Sequence, residues 1–153
     1  MSDESLYQRP GDPCLFCAIA DGSVPSYPVH ENDRLYAFLD IHPIRPGHTQ
    51  VIPREHYAYF DDLPPELAAE MVQLGQRLAR VLKEIYGPPR VGFAFTGGDV
   101  PHAHAHVAPL YTNTDITSRS YIVEETITVR PPPSPPEDEL REAAIRMREA
   151  LKL

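Results

Sequence analysis

The chain has 153 residues, the size of one ordinary domain, and 42% of them are apolar, enough to build a core. Lys and Arg number 14 against 22 Asp and Glu, a formal charge of −8, which argues against a surface for duplex nucleic acid because phosphate contacts need clustered cations. No apolar run approaches the ~20 residues of a membrane helix. The acidic start, Met1-Ser-Asp-Glu-Ser, lacks the order of a signal peptide, so the expected compartment is the cytoplasm.

Residues 1–13 read as a flexible tail ending in Pro10-Gly-Asp-Pro13. Leu15 to Ala20 is a short apolar stretch, one or two helical turns opened by Cys14-Leu-Phe-Cys17, and Gly22 to Pro28 reads as a turn region. Arg34 to Asp40 alternates and is rich in aromatics, which predicts a strand. Pro43 to Gly47 is a rigid turn, and His48 to Ile52 a second strand stopped by Pro53.

The clearest element is a helix over 64–86. Asp61 and Asp62 offer capping oxygens, and Pro64 and Pro65 open it. Leu67, Met71, Leu74, Leu78, Leu82 and Ile85 recur at helical spacing, and Gly87 supplies the stop. Val91 to Thr96, His102 to Leu110 and Tyr121 to Val129 read as three further strands. Pro131 to Pro136 is a stiff linker before a last helix, Glu137 to Leu153, with an apolar stripe of Leu140, Ala144, Met147 and Leu151. The expected organisation is a tail (1–13), a domain (14–130), and a proline-rich linker with a C-terminal helix (131–153). The expected fold is α+β: about five antiparallel strands, one long helix and the C-terminal helix.

Three of the seven histidines form His102-Ala-His104-Ala-His106. On a strand, alternate residues share a face, so the three imidazoles are expected to line one side together. A packed core would place Val or Ile there, and a solvated face Lys, Glu or Thr. Two chemistries use such a row: a metal centre, or covalent catalysis by a neutral imidazole on phosphorus. Gly97-Gly-Asp-Val-Pro just before the triplet would let backbone amides approach an anion. The reduced Cys14-x-x-Cys17 reads as zinc or thiol redox chemistry, with two buried free cysteines as the plain alternative. Nothing before Cys14 resembles the strand that the redox version needs. His30 reads as a surface residue, and His42 has no assigned role.

The triplet followed by Val107-Ala-Pro109 resembles the motif of the histidine triad (HIT) nucleotide-binding family, in its bacterial form. Cys14-Leu-Phe-Cys17, Gly22 to Pro25, Phe38-Leu-Asp40-Ile-His-Pro43 and Pro46-Gly-His48 to His56 recur in the same order in such members. The resemblance covers residues 14 to 110.

It implies a hydrolase or transferase cleaving at the α-phosphate of AMP- or GMP-type substrates. Those would be nucleoside phosphoramidates, aminoacyl-adenylates or dinucleoside polyphosphates. It makes His104 the nucleophile, His106 the contact to phosphate or leaving group, and His48 a supporting histidine, with His102 completing the catalytic set. Asp40 would bind ribose. Ile41, Phe38, Phe16 and Ile19 would form the base slot, and Gly98, Asp99 and Val100 the phosphate loop.

The same resemblance, shared with galactose-1-phosphate uridylyltransferases, implies a structural zinc on Cys14, Cys17, His56 and His102. It implies no organic cofactor, a purine nucleotide as ligand, and a homodimer. Three positions depart from the family pattern: no Asn precedes the loop, Asp99 stands where some relatives carry Ser, and Leu110 where Arg is frequent. The first two favour the alternative of a nucleotide-sensing module with negligible turnover.

Overall fold

The computed structural model describes residues 12–113, 115–116 and 133–152. Residues 1–11 of the tail and the expected Tyr121–Val129 strand lie outside them. Elements follow in the order α1 (Leu15–Ala20), β1 (Pro28–Glu31), β2 (Leu35–Leu39), β3 (Thr49–Pro53), α2 (Pro65–Tyr86), β4 (Arg90–Phe95), β5 (Ala105–Leu110) and α3 (Glu137–Leu151). The five strands form one antiparallel sheet in the order β1-β2-β3-β5-β4.

The period-2 alternation sorts the side chains onto two faces. Leu35, Ala37, Leu39, Val51, Ala105 and Val107 join Leu67, Met71, Leu74, Leu78 and Leu82 of α2 in the main core. Leu140, Ala144 and Met147 of α3 are buried in that same core, so the C-terminal helix packs as part of the domain. On the opposite face Tyr36, Phe38 and Ile52 meet Phe16, Ile19 and Ala20 of α1.

Four readings change. β1 forms beyond the expected turn region. Pro28 at its start and the exposed Glu31 at its end hide a strand that pairing with β2 stabilises. β5 begins at Ala105, so His102 and His104 lie on the approach to the strand and only His106 is on it. Helix α2 is N-capped by Pro64 without a side-chain bond. Asp62 instead accepts from the Tyr59 amide at 3.1 Å around a single 3-10 turn, Phe60–Asp62. The last helix ends at Leu151. Gly87 closes α2 in the left-handed conformation, φ 66°, as its position predicts.

Candidate functional site

The site forms on the α1 face, where three elements bring histidines together. The register places Phe38 opposite Gln50, and Gln50 opposite His106. His48 precedes β3 at the end of the Pro43–Gly47 turn, and its carbonyl accepts the Asp40 amide at 2.9 Å. That turn needs Gly47. Its φ is 92°, and a Cβ there would lie 2.5 Å from Leu82 Cδ2.

Each ring's protonation follows from its neighbours. The Ile44 amide donates to His48 Nδ1 at 3.1 Å, so the His48 proton sits on Nε2. His48 Nε2 lies 3.0 Å from His106 Nδ1 and donates to it, leaving the His106 proton on Nε2. His104 Nδ1 donates to the His102 carbonyl at 2.7 Å, which leaves its Nε2 with a bare lone pair. His102 Nε2 donates to the Pro53 carbonyl at 2.8 Å, which leaves its Nδ1 bare. Burial holds His106 down at about 4, with His48 and His104 adding to the effect. Burial also lowers His48, against the pull of Asp40. Both rings are neutral at pH 7.

The triplet divides at this point. His104 and His106 stand 5.0 Å apart by ring centroids. His102, fully buried, turns to Cys14 Sγ (3.3 Å), Cys17 Sγ (3.5 Å) and His56 Nδ1 (3.2 Å), and Cys17 Sγ lies 3.4 Å from His56 Nδ1. A zinc tetrahedron built on bonds of about 2.0–2.3 Å has edges of about 3.3–3.8 Å, so the four donors fit one ion. Pro53 fixes the His102 tautomer that a ligand needs. Burial and the adjacent Cys14 push the Cys17 thiol up to about 11, a preference that a bound dication would reverse.

Asp40, His48 and His106 also place three donor atoms within 4.8 Å. That set does not suit an ion, because a metal on His48 Nε2 would put a proton on Nδ1, where the Ile44 amide already donates.

Phe16, Ile19 and Phe38 are buried together, with Val100 packed against them, and the Phe16 ring meets His104 edge-on at 5.1 Å. Ile41 stands apart, 54% exposed beside Asp40. Asp40 Oδ1 accepts the His42 amide at 2.8 Å, and Oδ2 accepts Gln50 Nε2 at 2.9 Å. The loop turns on Gly97 (φ 70°) and Asp99 (φ 67°), and the Asp99 side chain is exposed. Val100 and His102 spend their amides on the Gly98 and Val100 carbonyls, each at 2.8 Å.

The HIT domain profile matches residues 21–113. The chain belongs to the HIT family. Among HIT relatives, an uncharacterized HIT-like protein of Methanocaldococcus jannaschii is 34% identical over 102 residues, 64% of this chain and 79% of its own length. The adenosine 5′-monophosphoramidase of Saccharomyces cerevisiae is 34% identical over 97 residues, 63% of this chain and 61% of that protein. A zinc-bound histidine triad protein from Mycobacterium smegmatis superposes with a TM-score of 0.69 at 32% identity, covering 91% of this chain and 93% of the other.

Two contributors escape sequence reading. Gln50 orients Asp40, and the Ile44 amide sets the His48 tautomer. Gln50 could have been suspected as a polar residue at a site-facing strand position; a backbone amide carries no sequence signal.

Proposed function

We propose that this HIT protein is a nucleotidyl-transferring hydrolase for AMP- or GMP-type substrates, among them phosphoramidates and dinucleoside polyphosphates. The bare His104 Nε2, held by the donation from Nδ1 to the His102 carbonyl, carries the reading.

His104 Nε2 attacks the α-phosphorus, and the bond from phosphorus to the leaving group breaks. The leaving group departs with a proton from solvent, oriented by a hydrogen bond from the His106 Nε2–H. The nucleotidyl-imidazolium that forms keeps its Nδ1 proton on the carbonyl. Water, held by the same His106, then attacks phosphorus, gives a proton back to solvent and frees His104. His48 positions His106 for both steps. The Gly98 and Asp99 amides, without partners among the described residues, suit the phosphoryl oxygens. Phe16, Ile19 and Phe38, with Ile41 at the rim, take the base, and Asp40 takes the ribose. The yeast monophosphoramidase supports the substrate class.

Cys14, Cys17, His56 and His102 hold a structural zinc that ties α1 to the approach of β5 and supplies no chemistry to the reaction. A homodimer fits the edge of the sheet. β4 pairs only with β5 among the described residues, and Phe93 (37%) and Val72 (44%) are exposed there. Sedimentation velocity would test it.

The deciding experiment incubates the protein with adenosine 5′-phosphoramidate, quenches it, and measures intact mass. A nucleotidyl adduct that maps to His104 and is absent in His104→Ala is expected. AMP binding with neither adduct nor AMP release would overturn turnover in favour of the sensing alternative.

A further inference from the structure

The turn that carries His48 is anchored by an ion pair unconnected to any ligand. Arg45 reaches Asp115, and its Nε (3.0 Å) and Nη2 (2.6 Å) both donate to Oδ1. Oδ2 accepts the Tyr111 and Thr112 amides at 2.5 and 2.9 Å. The Asp115 side chain is only 7% exposed, and the Arg45 guanidinium lies 5.2 Å from the Tyr111 ring centroid. Tyr111 directly follows β5, the strand that carries His106. Within the turn, the Arg45 carbonyl accepts the His48 amide at 3.0 Å, and the neighbouring Ile44 amide donates to His48 Nδ1. The pair therefore joins the frame of one histidine to the end of the strand holding the other. Exposed pairs contribute little to stability, but this one closes on a nearly buried carboxylate already held by two amides, so its effect falls on geometry.

We propose that Arg45 is a positioning residue. By pairing with Asp115 it holds the turn so that the Ile44 amide keeps His48 Nδ1 free of a proton, and His48 goes on donating through Nε2 to His106. The inference rests on the role of His106 given above. Arg45 in turn holds the Asp115 carboxyl well below the usual carboxylate range. The other groups facing His48 are Asp40 and His106 and, across the cavity of about 170 Å³ behind the turn, Tyr86, Glu139, Glu142 and Arg146. None of them is bonded to Arg45, and Arg45→Lys, which keeps the cation, separates loss of the turn frame from loss of the charge.

The test is a ¹⁵N-histidine NMR titration of the full-length protein beside steady-state kinetics on adenosine 5′-phosphoramidate, for wild type, Arg45→Ala, Arg45→Lys and Asp115→Asn. In Arg45→Ala, the His48 titration should move up by roughly one pH unit as Nδ1 becomes available. Its kcat should fall roughly tenfold with KM little changed, and the acid limb of the rate profile should move up with His48. Arg45→Lys should recover part of both. A folded Arg45→Ala protein with the wild-type His48 titration and kcat overturns the proposal. If Arg45→Ala does not fold, Arg45→Lys and Asp115→Asn, which keep the packing, carry the same reading with smaller shifts. If the wild type releases no AMP, the hydrolase reading fails, and the His48 titration alone still decides whether Arg45 acts on that ring.

Discussion

Two clusters of nitrogen and sulfur donors lie side by side in this molecule and share one tripeptide-spaced histidine motif. In the first, His102, His56, Cys14 and Cys17 point donor atoms at one another across 3.2–3.5 Å. In the second, His48 and His106 are as close, 3.0 Å, but the Ile44 amide forces a proton between them. The same ring becomes a metal ligand or a proton donor according to what its other nitrogen meets: a carbonyl behind His102, an amide behind His48. Distance does not separate the two clusters; the outer partner does.

The largest expected effect removes the proposed nucleophile. His104→Ala should lower turnover by at least roughly a thousandfold, with the thermal transition and metal content unchanged. Loss of the metal in that variant would join the two clusters and break the comparison.

Cys17→Ser acts on the other side. It should release one equivalent of zinc by elemental analysis and cost on the order of 4 kcal/mol in denaturant unfolding. A chelator should do the same to the wild type. Activity should fall only as far as the approach to β5 loosens.

Acid should separate the clusters next. The folded His106 titrates at about 4, against an unfolded value of about 6.5. The unfolded chain therefore takes up its proton first. The contribution is complete above about pH 6.5 and is lost as pH falls towards 4, on the order of 3 kcal/mol for this ring. Unfolding curves across that range, repeated with His106→Gln, should show the slope shrink in the variant.

The sequence makes the long helix, the β2 and β3 strands and the left-handed stop at Gly87 legible, because each depends on periodicity or a local residue preference. It misleads where the decision is tertiary. Alternation in His102-Ala-His104-Ala-His106 suggests one strand face, yet Pro53 and the cysteines draw His102 into the other cluster before the strand begins. Asp62 has the chemistry of a helix cap but spends it on Tyr59. Pro28 and Glu31 conceal a strand that only pairing with β2 stabilises. Arg45 sits in a turn like any surface cation, and its partner lies too far along the chain for local pattern to reveal.

The smallest expected effect is the most discriminating, because Asp40 touches the His48–His106 cluster by charge as well as by contact. Its Oδ2 lies 3.7 Å from His48 Nε2 and favours the protonated ring, against the burial that lowers it. Asp40→Asn keeps the shape and can still accept from Gln50 or His42, but it surrenders the charge and one acceptor for ribose. KM for an AMP-type substrate should rise roughly tenfold, about 1.4 kcal/mol, with kcat changing less. Without the carboxylate, His48 should titrate still lower, so the acid limb of the rate profile should move down, opposite in sign to Arg45→Ala. An acid limb that moved up in Asp40→Asn would mean that Asp40 governs His48 through the fold of the turn, with Arg45, and that charge is the minor influence on this ring.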